Sequence, residues 1–210
     1  MEPGTKGSDV EPARPLLIGG HPAIDFVNSC YGSGSNRVDW LSSGATLQRW
    51  LELSGSSLAP IFAASQTLSA ADLDSAAGKA RDLREWVRGL LAAWSASGAS
   101  AVPRSAVKQM NTYLGLANLR QAFVSAGDGF ALRTERVMSG PNGLVAELAA
   151  QTADLLANYP ASRTHKCANP ECTLWFIDLK QGPVRRWCSM AICGNRMKVA
   201  AHRARARARE

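Results

Sequence analysis

The cysteines of this 210-residue chain are concentrated near its C-terminus. Four of the five lie within 27 residues and form two equally spaced Cys-x4-Cys pairs, Cys167 with Cys172 and Cys188 with Cys193. A short turn between two thiolates lets both bind one metal ion, and two such pairs supply the four ligands of a tetrahedral zinc site. Four cysteine ligands leave no open coordination position for a reacting water. The pattern therefore predicts one structural Zn2+.

Other interpretations of these cysteines stay open. The first fifteen residues lack the apolar core of a signal peptide, so we expect a cytoplasmic protein, in which the redox poise disfavours disulfides. The cysteines could instead be four buried thiols without a metal. That interpretation does not explain why they occur in matched pairs beside Gly and Pro turns. No stretch approaches the roughly 18 apolar residues of a membrane helix, so we expect no membrane partner.

The positive charge is concentrated in the same region as the cysteines. The chain carries 24 Lys and Arg against 17 Asp and Glu, a net charge of +7. Residues 161–210 hold eleven basic and three acidic side chains, whereas residues 1–160 hold thirteen and fourteen. This asymmetry predicts a near-neutral body that carries one module for binding a polyanion, with nucleic acid as the first candidate.

The elements that must position these groups are mostly helical. Hydrophobic periodicity predicts helices over residues 23–28, 46–53, 69–98, 103–118 and 143–158. The segment 16–18 predicts a short strand. Two β-prone runs, 120–125 and 130–138, flank Asp128-Gly129, which predicts a β-hairpin closed by that pair. The body is thus expected to be α-rich with one hairpin.

The body shows no convincing catalytic pattern. His21, Asp25, Asn28 and Cys30 are close in the sequence, but their spacing fits an ordinary helix and its cap. We assign no catalytic residue and do not expect an enzyme.

The C-terminal module has a recognisable layout. After the turn between the first two cysteines, residues 173–179 predict a strand and residues 184–187 predict its return. The second cysteine pair follows at once, and a strongly helix-forming segment begins after Gly194. A turn with two ligands, a hairpin, a second ligand pair and a helix make up a treble-clef-like zinc finger.

Specific residues in this module resemble a known family. The segment RRWCSM at 185–190, followed by CGNR at 193–196, resembles the CGNR zinc finger, and the resemblance covers about residues 161–207. The body resembles the ABATE domain that usually precedes this finger, through IDFVN at 24–28 and its helical order. The resemblance implies a bacterial DNA-binding transcription regulator of the stress response. It also implies a body that senses a small-molecule effector. A body that forms a homodimer is a further expectation of ours.

The expected fold class is α+β, with a mostly helical body that contains a β-hairpin and a C-terminal treble-clef-like zinc finger. We expect a flexible tail over residues 1–15, an ABATE-like domain over 16–160 and a CGNR-type finger with a basic helix over 161–210.

The basic residues of the last segment would cover more than one face of a helix, which is typical of phosphate contacts. Base reading is assigned to Arg186, Asn195 and Arg196. Asn195 could instead cap the helix or donate to a cysteine sulfur. The candidate nucleic-acid contacts are Arg185, Arg186, Asn195, Arg196, Lys198, Arg203, Arg205 and Arg207.

Two other roles for the module stay open, an RNA- or ribosome-associated zinc module and a protein-interaction finger. RNA binding would show as a preference for RNA over duplex DNA. The aromatic residues Trp175, Phe176 and Trp187 could stack on unpaired bases, but a small zinc module needs apolar mass, so we favour core packing.

Overall fold

The computed structural model describes residues 14–207. Its α-helices are α1 (Pro22–Val27), α2 (Gly44–Leu53), α3 (Ala59–Ser65), α4 (Ala70–Ser97), α5 (Arg104–Leu114), α6 (Gly140–Asn158) and α7 (Asn195–Arg207). Its strands are β1 (Cys30–Tyr31), β2 (Val38–Asp39), β3 (Asn118–Ala126), β4 (Gly129–Val137), β5 (Thr164–Lys166) and β6 (Trp175–Ile177). The strands form three antiparallel pairs, β1–β2, β3–β4 and β5–β6. The predicted fold class is confirmed, while all but two residues of the predicted tail lie outside the described residues.

Helix α4 is the centre of the body. It begins after Ser69, whose hydroxyl accepts a hydrogen bond from the Asp72 N–H (3.1 Å). It ends at Gly98, whose φ of 68° suits glycine. Helices α2 and α6 pack against α4, and α1 and α5 pack against α6. None of the described helices is long and apolar enough to span a lipid bilayer.

A buried ion pair joins α4 to β2. The Arg84 guanidinium donates to both carboxylate oxygens of Asp39, at 2.6 and 2.9 Å. Burial disfavours both charges, but hydrogen bonds and charge attraction, chiefly between the two groups, together outweigh it. The pKa of Asp39 therefore lies below its ordinary value and the pKa of Arg84 above it. One turn further along α4, Arg88 donates to the Val27 carbonyl oxygen at 2.7 Å. These two arginines hold the end of α1 and the β1–β2 pair against α4.

The β3–β4 hairpin is confirmed, with a different turn. Its central residues are Gly127 and Asp128, since Ala126 pairs with Gly129. Gly127 has a φ of 58°, which the first position of a two-residue hairpin turn favours in glycine. The predicted Asp128-Gly129 turn is therefore wrong by one residue.

The other body predictions differ in extent. Helices α1, α2, α4 and α6 are confirmed within a few residues. The predicted helix over 103–118 ends at Leu114, because β3 begins at Asn118. The hydrophobic periodicity did not predict helix α3, because its seven residues are too few to show a helical repeat. Residues 16–18 form no strand, since Gly19 supplies a single backbone acceptor to Ile177 N–H (2.8 Å) and no ladder follows.

The predicted pairing of residues 173–179 with residues 184–187 is wrong. Strand β6 pairs instead with β5, which precedes the first cysteine pair, with Phe176 opposite His165. Residues 184–187 form no strand, because the Asp178 carboxylate accepts from the Arg185 N–H (2.9 Å) and folds this segment into a loop. The second edge of β6 faces the body.

Candidate metal centre and basic helix

The structure brings the four C-terminal cysteines together. Their sulfur atoms all lie within 4.8 Å of one another, and Cys172 Sγ and Cys188 Sγ are 4.0 Å apart. Cys172 is half-buried, while Cys167, Cys188 and Cys193 are buried. This cluster of thiols is the candidate metal centre.

The first cysteine pair lies in a turn between β5 and β6. The Cys167 N–H donates to Leu174 O and the Cys172 N–H donates to Asn169 O, both at 2.9 Å. The Asn169 side-chain oxygen also accepts from the Glu171 N–H at 3.2 Å, as an asparagine at the start of a turn commonly does. These bonds fold the six residues so that both sulfurs face the same point.

The second cysteine pair lies at the start of α7. Residues Met190–Gly194 form a π-helical turn, and the Ser189 hydroxyl caps it by accepting from the Ile192 N–H at 3.0 Å. A Cβ atom on Gly194 would lie 2.5 Å from Met190 Sδ and 3.2 Å from the Trp187 ring. A side chain at position 194 would therefore require Met190 and Trp187 to shift, and α7 begins directly after this glycine.

Two cysteine sulfurs accept hydrogen bonds, one from a backbone N–H and one from an asparagine side chain. The Cys188 N–H donates to Cys167 Sγ, and the Asn169 side-chain amide donates to Cys193 Sγ, both at 3.4 Å. Asn169 is 2% exposed. The sulfur contact considered for Asn195 is thus made by Asn169, while Asn195 is exposed at the first position of α7. The sequence feature that could have predicted the bond to sulfur is the asparagine between Cys167 and Cys172.

Hydrogen bonding between the thiols sets their pKa values. A hydrogen bond shared by Cys172 Sγ and Cys188 Sγ lowers the pKa of Cys172 to about 5 against the effect of burial. The same bond, together with burial, raises the pKa of the Cys188 thiol. Burial also raises the pKa of Cys193. A metal ion must displace the remaining protons, so metal affinity falls as the pH falls.

The donor set fits a zinc ion. Zn–S bonds of about 2.3 Å in a tetrahedron place the sulfurs about 3.8 Å apart, close to the separations in this cluster. A set of four cysteine ligands matches the composition of structural zinc sites.

The predicted nucleic-acid contacts fall into two groups. All eight are exposed, namely Arg185, Arg186, Asn195, Arg196, Lys198, Arg203, Arg205 and Arg207. Arg185 differs, because its guanidinium donates to the carbonyl oxygens of Cys188 (3.0 Å), Ile18 and Ile177 (both 3.3 Å) and lies over the Phe176 ring. Both terminal nitrogens of its guanidinium are thus used in hydrogen bonds within the protein, one of them with the segment that precedes α1.

Helix α7 projects from the metal centre with none of its residues buried. It contacts chiefly the π-helical turn that precedes it. Its basic side chains point to several sides, as the spacing predicted. Beside its start, the Arg186 guanidinium lies 5.1 Å from the centre of the Trp187 ring, which restricts its direction.

Two of the three aromatic residues of the module are buried. Trp175 is 5% exposed and belongs to the core of the body, whereas Phe176 is fully buried beside the cysteines. Trp187 is partly buried against the cysteine cluster. The core-packing interpretation is confirmed for Trp175 and Phe176.

Two family profiles match the chain. The profile of the ABATE domain, described as a putative stress-induced transcription regulator, matches residues 20–159, about two thirds of the chain. The chain belongs to the ABATE family. The profile of the CGNR zinc finger matches residues 163–206, so the resemblance drawn from the sequence is confirmed for both parts. A search of curated proteins found no match.

The ABATE domain and the CGNR finger share strand β6. The Asn28 amide donates to Trp175 O and accepts from the Trp175 N–H, both at 2.8 Å, and the Gly19 carbonyl accepts from the Ile177 N–H at 2.8 Å. Trp175 and Ile177 pack into the ABATE core, and Phe176 packs beside the cysteines. Sequence reasoning missed this junction, because Asn28 looked like an ordinary helix cap.

The other residues considered for catalysis also have structural contacts. His21 Nδ1 accepts from the Ala23 N–H (3.1 Å) at the start of α1, and Nε2 lies 3.1 Å from Asp154 Oδ2. The Asp25 carboxylate accepts from the Gly19 N–H at 2.8 Å. Burial raises the pKa of Asp25 to about 6, with that hydrogen bond opposing the rise. These contacts order the segment that covers β6.

Proposed function

We propose that this ABATE-family chain is a zinc-dependent DNA-binding transcription regulator, and not an enzyme. The observation that carries the proposal is the concentration on the projecting helix α7 of basic side chains that pair with no carboxylate in the described part of the chain. In the body, Arg49, Arg84, Arg88 and Arg120 each pair with a carboxylate. Within residues 14–207, no carboxylate lies in ion-pair distance of any basic residue of α7. Unneutralised cations on a projecting helix are suited to a polyanion.

The arrangement of these cations supports phosphate contacts along most of the helix. Arg203, Arg205 and Arg207 alternate with alanines, so Arg203 and Arg207 lie on one side of α7 and Arg205 on the other. A single base-reading face would not require this distribution, whereas contact with the charged DNA backbone tolerates it. We assign base reading to the start of α7, where Asn195, Arg196 and the nearby Arg186 are exposed.

We assign one structural Zn2+ to the four cysteines. The metal would tie the turn between β5 and β6 to the turn that starts α7, and so fix the direction in which α7 leaves the finger. Four sulfur ligands leave it no coordination site for substrate. Its contribution is therefore to the folding of the interface and not to a reaction.

The test is fluorescence anisotropy with duplex DNA and RNA of matched length across a salt series. The full chain is compared with the triple variant Arg203→Ala, Arg205→Ala, Arg207→Ala. A control with equal charge loss carries Arg104→Ala, Lys108→Ala and Arg133→Ala, three exposed body residues. We expect the α7 variant to lose most of its DNA affinity and to reduce the slope of log K against log salt by about 3. The body variant should retain the DNA affinity and the salt dependence of the wild-type chain.

Other outcomes of this measurement decide between the alternatives. Preference for RNA in the wild-type chain would assign the finger to an RNA-associated role. Absence of binding to either nucleic acid would overturn the proposal and favour a protein-interaction finger. Equal losses in the two triple variants would show that net charge, and not α7, governs binding.

An effector site in the body is favoured by one cavity. It has a volume of about 340 Å3, lies between α4, α5 and α6, and has a mostly apolar lining that includes Leu90, Trp94, Val107 and Met110. This volume and lining suit a small apolar molecule. Binding of a fluorescent apolar dye, blocked in Ala157→Phe and retained in Asn158→Ala, would support the site. Equal dye binding by both variants would argue against it.

A further inference from the structure

One face of the β3–β4 hairpin is apolar and exposed. The register places Phe123 opposite Leu132, and Leu119 and Phe130 lie on the same face. These four side chains are between 64% and 72% exposed, more than any other large apolar side chain described. The Phe123 and Phe130 rings stack on each other with centres 5.0 Å apart. Phe123, Phe130 and Leu132 are neighbours on this face, and Leu119 lies beyond the pair Gln121 and Thr134. Exposed apolar surface of this extent is suited to an interaction.

The fold of one chain does not explain this face. In the part of the chain that the structure describes, no third strand pairs with the hairpin. A two-stranded hairpin without a packed face is only marginally stable in water. The opposite face carries the cross-strand ion pair between Arg120 and Glu135 (2.9 Å) beside partly buried smaller apolar side chains such as Val124 and Ala131. The apolar face therefore gains most from a partner surface that is also apolar.

We propose that this face is the contact between two copies of the chain. The copies pack face to face in antiparallel orientation, with the twofold axis near Phe123 and Leu132. The four exposed side chains amount to roughly 500 Å2 of apolar surface per copy, so the pair buries about 1,000 Å2, the lower limit for a specific interface. The dimer is therefore expected to form in a concentration-dependent manner.

The charges of the hairpin favour a second copy over another partner. The apolar face carries no carboxylate, and its one charged residue is Arg136, at the end nearest the body. Asp128 lies at the opposite end, in the exposed turn. Antiparallel packing places Asp128 of each copy near Arg136 of the other, so both ends of the interface are complementary. A partner of a single charge would match one end and repel the other.

The inference goes beyond the proposed function and does not depend on it, because its first test measures mass. In a dimer, two basic α7 helices would belong to one assembly. Twofold proteins commonly bind two related half-sites on DNA, so a dimer would also predict a palindromic target.

The test is sedimentation velocity of the full chain over a range of concentrations. We expect the mass to rise toward twice 22.4 kDa. The double variant Phe123→Ser, Phe130→Ser should remain monomeric with unchanged helical circular dichroism, because the hairpin is separate from the core. The matched control Arg120→Ala, Glu135→Ala changes the opposite face and should dimerise like wild type. A wild-type chain that stays monomeric, or a double Ser variant that still dimerises, would overturn the inference.

Charge exchange tests the antiparallel arrangement without removing apolar surface. Asp128→Arg places like charges at both ends, and so does Arg136→Asp. Each variant alone should lose about tenfold in association constant, and a mixture of the two should recover it as a heterodimer. Separate fluorescent labels on the two variants report that heterodimer. Failure of the mixture to recover association would contradict the arrangement.

Discussion

The side-chain amide of Asn28 forms two hydrogen bonds with the backbone of Trp175, one through its nitrogen and one through its oxygen, both 2.8 Å long. Asn28 is 1% exposed, so neither bond competes with bulk water. The amide pairs with the edge of β6 as a neighbouring strand would. Through this contact the last turn of α1 positions the strand that follows the first cysteine pair.

Replacing Asn28 by alanine should therefore destabilise the whole chain. The change leaves the buried N–H and C=O of Trp175 without partners, at a cost of about 1–3 kcal/mol each. We expect the free energy of unfolding in urea to fall by about 2–5 kcal/mol. The control is Asn158→Ala, which removes only an exposed hydrogen bond to Asp154 and should cost less than about 0.5 kcal/mol. Equal stability of the two variants would contradict this role for Asn28.

Removal of the metal should destabilise the ABATE domain as well as the finger. Trp175 and Ile177 belong to the body core, and the chain reaches them within five residues of Cys172. We expect a strong chelator, or Cys193→Ser, to lower the melting temperature of the helical signal in a single transition. The lone cysteine Cys30 provides the control, since Cys30→Ser removes a thiol outside the cluster. Two separate transitions, with the helical one unchanged, would show that the domains are independent.

The carboxyl group of Asp25 should make stability fall as the pH rises from about 4 to about 6. Its pKa is raised from 3.8 to about 6 by burial, so the folded chain binds this proton more tightly than the unfolded chain does. The stabilisation of the folded chain by this proton is complete at pH values below the pKa of Asp25 in the unfolded chain. It is lost at pH values above the pKa of Asp25 in the folded chain. Asp25→Asn should thus gain up to about 3 kcal/mol relative to wild type near pH 7 and much less near pH 4.

The measurement for Asp25 is urea unfolding of the wild-type chain and of Asp25→Asn at both pH values. The difference between the two proteins cancels the contributions of other carboxylates, such as Asp39, whose pKa is lowered and whose contribution has the opposite sign. Asp128→Asn, at an exposed turn, serves as the control. A pH-independent difference between Asp25→Asn and wild type would contradict the prediction.

Removal of the Arg84 guanidinium should be costly because it leaves the Asp39 carboxylate without its main partner. We expect Arg84→Met to lower the free energy of unfolding by about 3–5 kcal/mol. The double variant Arg84→Met, Asp39→Asn should recover part of that loss, since no unpaired charge stays in the interior. A complete double-mutant cycle by urea unfolding checks this, and additive losses would mean that the two side chains are not coupled.

The sequence predicts the elements whose signals are local. Helix α4 is long, has Ser69 as its cap and Gly98 as its end, and shows a regular apolar repeat, so both its ends could be located. The β3–β4 hairpin is also local, since its strands are joined by a two-residue turn. The four cysteines could be grouped because their spacing is a local property of the chain.

Contacts between distant segments could not be predicted in the same way. Residues 184–187 looked like the partner of β6, but β5 and the Asn28 amide already occupy its two edges. Nothing within residues 161–210 reveals that a body residue pairs with Trp175. Arg185 was expected at a nucleic-acid surface, and only the folded chain shows its bonds to Ile18 and Cys188.

The three residues of β6 also constrain how this protein can change over evolution. Consecutive side chains of the strand enter different cores, Trp175 and Ile177 in one and Phe176 in the other. A finger transplanted from another protein would have to match the ABATE core as well as bind its own metal. The two domains are therefore expected to be inherited and engineered as a unit, with β6 and Asn28 exchanged together.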